Sequence, residues 1–267
     1  MKNFSHFGTF GDTIYSLCVV KLLGGGNMYI KLNYLDYFCK EILGWTDAGP
    51  GAGRYTQEDY DMLAPLLEAQ DYIHDVDIYK DQSIDVDFEN HYRFHLMGGR
   101  WRGNQTECYA LTQNLNIHDE EISNALIKLP WLHNAEPISL PQKICVNRTA
   151  RHHHGEMGES RKVYNTFIKE KLCENGFFVG TEEEHSDFCE EFKCKIKYQK
   201  TNDLLELARY INGCELFLGN QSSPLAIAIG LGKNLRYEIR KDYQSEYMTS
   251  PHGHGDVWFP RDNIGYF

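Results

Sequence analysis

Five short apolar segments in the second half of the chain, residues 143–147, 177–180, 195–198, 215–219 and 234–238, alternate with segments of helical period. This alternation constrains the fold more than any other feature. Strands and helices taking turns along a chain build a parallel sheet with helices packed on it. Helices are predicted over 163–174, 183–192 and 223–229. A further helix opens at Thr201 and carries Leu204, Leu205, Leu207, Ala208 and Ile211. Ser223 and Pro224 open the last helix, as a favoured cap followed by a favoured first residue.

The first half reads in the same way. A strand and a glycine-bearing turn lead into an apolar helical run over 14–23, which Gly24, Gly25 and Gly26 end. A strand follows at 27–31, then a helix over 33–43 with Leu35, Phe38, Cys39 and Ile42 on one face, then a glycine-rich loop over 44–54. Thr56 with Asp59 makes a capping-box pattern before a helix carrying Leu63, Leu66 and Leu67. A strand is predicted over 73–79 and helices over 106–115 and 120–129. Residues 88–102, broken by Gly98 and Gly99, resist assignment. The texture changes at 134–141, which contains two prolines, so the expected domains are 1–136 and 142–267. The expected class is α/β, with two halves whose strand ends face each other across a cleft. Ligands in such sheets bind beyond the carboxyl ends of the strands.

Composition narrows the function. The 267 residues are 42% hydrophobic and 24% charged, which suits a globular chain. No apolar run approaches the roughly 20 residues of a membrane-spanning helix. The N-terminus lacks the basic and apolar regions of a signal peptide, so a cytoplasmic protein is expected. Eight cysteines, none in a CxxC pair, are then expected to be reduced thiols, several of them in the core. The net charge of −11 disfavours a protein that grips nucleic acid through phosphate contacts.

Candidate site residues cluster in the turns after strands. Residues 219–223 are Gly219, Asn220, Gln221, Ser222 and Ser223, at the point where a strand becomes a helix. Free N–H groups at a helix start bind phosphate, and four successive hydrogen-bonding side chains exceed what a cap requires. Asn147, Arg148 and Arg151 follow another strand, and the arginines suit a diphosphate. His152, His153 and His154 lack the spacing of metal ligands on a helix and read as a polar loop; no metal site is expected. Gly180 and Glu184 follow a third strand, where a carboxylate accepts ribose hydroxyls or simply complements a helix start. Asp12 follows the first strand of the other half, in a turn built from Gly8, Gly11 and Thr13. It is either a helix cap or a carboxylate that deprotonates an acceptor.

The stretch FGTFGDTIYSLCVVKLLGG resembles the N-terminal glycine–aspartate motif of the heptosyltransferases, glycosyltransferase family 9, and GNQSSPLAIAIGLG resembles their C-terminal GNDSGP-type motif. The resemblance implies a GT-B-like fold of two Rossmann-like α/β/α domains. It also implies a nucleotide-sugar donor on the C-terminal domain, no further cofactor, and inverting, metal-independent transfer to an acceptor hydroxyl. Under it Asp12 is the base, and 220–223 form the donor-phosphate loop. The acceptor class stays open among a glycan, a small molecule and a modified nucleobase. Departures from the family pattern stand at Gln221, Ser223 and Ala226. Two other readings use the same fold: a non-catalytic nucleotide or nucleotide-sugar binding protein, and a nucleotide-sugar epimerase or hydrolase.

Overall fold

The computed structural model describes residues 1–34, 55–88, 105–127, 130–149, 171–238 and 255–258. Two parallel sheets organise them. In the first, β1 (Lys2–His6), β2 (Gly26–Ile30), β3 (Ile73–Ile78) and β4 (Val86–Asp87) lie in the order β3-β2-β1-β4. Its helices are α1 (Phe10–Leu22), α2 (Gln57–Glu68), α3 (Gln105–Thr112) and α4 (Glu120–Ile127).

The second sheet has the order β10-β9-β8-β5-β6-β7, from β5 (Ile144–Val146), β6 (Gly176–Phe178), β7 (Lys197–Tyr198), β8 (Leu216–Asn220), β9 (Leu235–Glu238) and β10 (Gly255–Trp258). Its longer helices are α5 (Glu182–Phe192), α6 (Leu204–Gly213) and α7 (Ser223–Gly230). Every strand pairing is parallel.

Alternation of side chains along each strand sends neighbours to opposite faces. Cys145, Phe177 and Phe217 therefore join one core, while Ile144, Val146, Phe178 and Leu218 join another under α5. The first of these cores also contains Phe4, Met28 and Ile30 of the first sheet, so one apolar interior runs through both halves. Helices α1 and α7 form its centre. Thr13 to Val20 and Leu225 to Gly230 are all buried, and the two helices pack on each other. Helices buried on most sides require cover from several neighbours, and each of these two covers one side of the other.

The glycines after α1 are required by geometry. Gly25 has φ +74°, and a Cβ there would overlap the carbonyl oxygen of Tyr72.

Most predicted elements lie within two residues of their observed ends. Five differences stand out. Helix α1 begins at Phe10, four residues before the predicted run, because Thr9 caps it there. The helix carrying Leu204 is capped by Asp203, whose carboxylate accepts from Glu206 N at 2.7 Å, and not by Thr201. Helix α7 is capped one residue earlier than predicted, at Ser222. Strand β4 is two residues long, too short to show a period, and β10 was not predicted. The segments predicted over 33–43, 44–54 and 88–102 lie almost wholly outside the described residues, as does most of 163–174.

Candidate active site

A parallel sheet offers a crevice where its strand order reverses, at the carboxyl ends of the two strands flanking the reversal. In the second sheet these strands are β5 and β8; in the first they are β1 and β4. The turns after β5 and β8 carry 147–149 and 220–223. The turn after β1 carries Gly8 to Asp12.

The two crevices meet. A methyl group built on Gly11 would lie 4.0 Å from Ser223 Cα, so the first turns of α1 and α7 approach each other with little more than van der Waals space between them. Each helix start carries the equivalent of about half a positive charge, and two starts at one place make a site suited to an anion.

Three side chains hold the second crevice in shape. Asn220, fully buried, reaches across to the loop after β5: its Nδ2 donates to Thr149 O at 2.8 Å, and its Oδ1 accepts from Thr149 N at 3.1 Å. Asn147, also buried, donates to Val179 O at 2.9 Å and accepts from Ser222 Oγ at 2.8 Å. Ser222 stands at the N-cap position of α7, yet its hydroxyl is given to Asn147 and to Asn220 O, and the side chain makes no bond to its own helix. The Ser222 side chain therefore leaves the first N–H groups of α7 uncapped. Gly219 is needed for this packing, because a Cβ would stand 2.8 Å from Asn147 O. Gln221 is buried beside these residues, and Ser223 is half-buried.

Two predicted donor-site residues are engaged elsewhere. Arg148 is 2% exposed; its guanidinium pairs with Glu191 and stacks 5.0 Å from the Phe192 ring, both on α5. Its charge serves the contact between the β5 loop and α5. Glu184 closes a capping box with Thr181: its carboxylate accepts from Thr181 N at 3.0 Å, and its own N–H donates to Thr181 Oγ1 at 3.1 Å. Gly180 has φ +134° beside it, where any Cβ would press on the Glu184 carboxylate and the Asn147 amide. Arg151 and the three histidines after it lie outside the described residues.

Asp12 does not cap α1. The cap is Thr9, and Asp12 is the third residue of the helix, half-buried, with Oδ2 accepting from Thr9 Oγ1 at 2.8 Å. Gly8, at φ +118°, lets the chain turn sharply out of β1 before this cap.

Beneath Asp12 lies a chain of four buried polar side chains that the sequence did not reveal. Thr13 Oγ1 is 3.0 Å from His6 Nδ1 and 2.6 Å from Tyr55 OH, and His6 Nε2 is 3.1 Å from Tyr109 OH. Burial lowers the His6 pKa to about 4, against the opposing pull of Asp12. His6 is thus neutral near pH 7 and anchors the first turn of α1 through Thr13. Beside it Lys31, 6% exposed, pairs with Asp87 at 2.9 Å across the end of β1. A histidine, two tyrosines and a threonine spread over more than a hundred residues leave no local signal in a sequence.

No family model matches the chain, and no curated protein matches it in sequence. Solved structures do match. A glycosyl transferase family 9 protein from Veillonella parvula superposes with TM-score 0.56 at 11% identity, over 96% of this chain and 85% of its own. The E. coli heptosyltransferase WaaC with ADP gives TM-score 0.54 at 10% identity, over 97% of this chain and 93% of its own. The same enzyme with ADP-2-deoxy-2-fluoro heptose gives 0.52 at 9% identity, over the same shares. The fold is that of the GT-B glycosyltransferases. The motif resemblance and the structural likeness thus fall on the same group. Among the described residues, no helix is long and apolar enough to cross a membrane.

Proposed function

We propose that this chain is a glycosyltransferase that moves a sugar from a nucleotide-sugar donor to an acceptor hydroxyl. The observation that carries the reading is the meeting of the two helix starts, with Asp12 on one and the uncapped first turn of α7 on the other. The donor diphosphate binds at α7. Its N–H groups and dipole stabilise the negative charge that develops on the leaving nucleotide. Asp12, next to Gly11 at that contact, takes the proton of the attacking hydroxyl. Displacement from the face opposite the leaving group inverts the anomeric carbon, and these steps draw on no metal or further cofactor. Arg148 is paired with Glu191, which leaves Arg151 as the other arginine predicted for the counter-charge. The acceptor is a hydroxyl-bearing glycan, small molecule or modified nucleobase.

Because two similar structures hold ADP or an ADP-heptose analogue, those nucleotides head the list of donors to test, followed by UDP- and GDP-sugars. The experiment is a metal-free thermal-shift screen of the wild type and Asp12→Asn, followed by assay of nucleotide release. A donor at ~100 times its dissociation constant should stabilise both proteins by about 2.7 kcal/mol. Turnover in Asp12→Asn should fall by roughly 10²- to 10⁴-fold, the usual worth of a general base. No shift with any nucleotide would sink the donor assignment. Binding without turnover in the wild type would favour the non-catalytic reading, and turnover intact in Asp12→Asn would remove Asp12 from the chemistry.

A further inference from the structure

Helix α5 ends in a geometry that places two cysteines side by side. Lys193, just past its last residue, takes the left-handed conformation (φ 50°, ψ 44°), and Cys194 N donates to Cys189 O at 3.2 Å. A bond from the sixth residue back to the first, closed over a left-handed residue, is the Schellman arrangement, and it packs the side chains of its first and last residues together. Those positions ordinarily hold an apolar pair; here both hold thiols. Cys194 is buried and Cys189 half-exposed, and all the cysteines of the described residues are free. His185, one turn before Cys189, brings Nε2 to 3.4 Å from its sulfur and to 3.0 Å from Ile196 O. The imidazole is held in place between Phe178 and the stacked ring of Tyr198. Burial, and then the nearness of Cys189 and Cys173, pushes the Cys194 thiol up to about 12. The exposed Cys173 therefore lies within electrostatic reach of the pair.

We propose that Cys189 and Cys194 are a redox-active dithiol, converted by a small-molecule disulfide into an intrachain disulfide across the end of α5. Cys189, the more accessible thiol and the one facing His185, attacks as the thiolate. It displaces one small thiolate and leaves a mixed disulfide. The Cys194 sulfur then attacks Cys189 Sγ, giving its proton to solvent and releasing the second small thiol. The protein loses two electrons and two protons, and one small disulfide becomes two thiols. The closed loop holds Glu191 and Phe192, the two residues that grip Arg148. Oxidation thus fixes the turn that supports the loop after β5. This inference is independent of the proposed transferase activity.

The test incubates the folded protein with oxidised glutathione, quenches free thiols by alkylation, and maps disulfides by tryptic digestion. Trypsin cuts after Lys193, so a 189–194 disulfide joins two peptides and lowers the intact mass by two hydrogens. The expected result is loss of two of the eight alkylatable thiols, with the link between Cys189 and Cys194, unchanged in Cys173→Ser. In Cys194→Ser the reaction should stop at one glutathionyl adduct on Cys189. Eight free thiols after incubation, or a link made by Cys173 or another cysteine in place of Cys194, would overturn the assignment.

Discussion

Thr13 Oγ1 sits between His6 Nδ1 and Tyr55 OH, and this fixes how protons are arranged beneath Asp12. A neutral imidazole has one N–H. If it lies on Nε2, it donates to Tyr109, and the hydrogen bonds run from Tyr55 through Thr13 to His6; if on Nδ1, all of them reverse. Either way Thr13 must both donate and accept, which valine cannot do. Thr13→Val should therefore cost about 1–3 kcal/mol in urea unfolding, the penalty of leaving buried polar partners unpaired, and Thr13→Ser should recover most of it. A loss no greater than a surface substitution would show that the hydroxyl is idle.

His6 also makes a pH prediction. Its folded pKa, about 4, lies below the ordinary 6.5, because burial outweighs the pull of Asp12 and Asp87. The unfolded chain therefore binds the proton first as pH falls. Stability contributed by neutral His6 is complete above about pH 6.5 and is lost progressively down to about pH 4. The total is about 3 kcal/mol. His6→Gln should flatten the slope of unfolding free energy against pH in that window by up to one proton. An unchanged slope would mean that His6 is not buried in its neutral form.

At the scale of elements, two glycines in apparently similar turns should behave oppositely. Gly219 is the last residue but one of β8, where a Cβ would lie 2.8 Å from Asn147 O and from the Phe217 ring. Gly219→Ala must shift backbone, at a cost of roughly 1–3 kcal/mol. Gly11 lies in the first turn of α1, and a Cβ there meets its nearest neighbours at 3.9 and 4.0 Å, ordinary contact. Gly11→Ala should leave stability unchanged or raise it by up to about 1 kcal/mol, since alanine is the better helix residue. If the diphosphate binds beside this contact of α1 and α7, that same variant should bind nucleotide more weakly. A methyl group that stabilises the fold while weakening the ligand separates a binding role for Gly11 from a structural one. Thermal shift with and without nucleotide reads both.

What the sequence disclosed at this scale follows from the range of the interactions. Thr56 with Asp59 was legible as a capping box because its partners are three residues apart. Thr181 with Glu184 has the same spacing, and of the two roles open to Glu184 the helix-start one is the one the structure displays. The polar turns after β1, β5 and β8 were legible because strand, turn and helix are contiguous. Arg148 read as a phosphate ligand because its true partner, Glu191, is 43 residues away on another element. The same reason hides His6, Thr13, Tyr55 and Tyr109. Single-chain patterns report which end of a sheet carries polar groups, and long-range pairing decides which of them are already engaged.

Across the whole molecule, the hydrophobic core does not stop between the sheets. Trp131, 1% exposed in the segment that connects them, donates from Nε1 to Ile14 O of α1 at 3.0 Å. Its backbone N–H and that of Leu132 both donate to Gly230 O at the end of α7, each at 3.0 Å, and Tyr72 OH donates to Trp131 O at 2.7 Å. The indole thus ties together the two helices whose first turns form the candidate site. A core shared in this way couples the two halves, so they should unfold as one cooperative unit. Hydrogen exchange read by mass spectrometry across a urea series gives the check. Protection of β1 and of β8 should be lost at the same denaturant concentration. Trp131→Ala removes the largest side chain of the join and should cost about 3–5 kcal/mol. It should also bring the two transitions apart, because, among the described residues, the halves then meet mainly through the α1–α7 and α2–α6 helix contacts. Separate transitions in the wild type would mean that each sheet carries its own stability. The spacing of Asp12 from the start of α7 would then be set by docking between independent units and not by a continuous core.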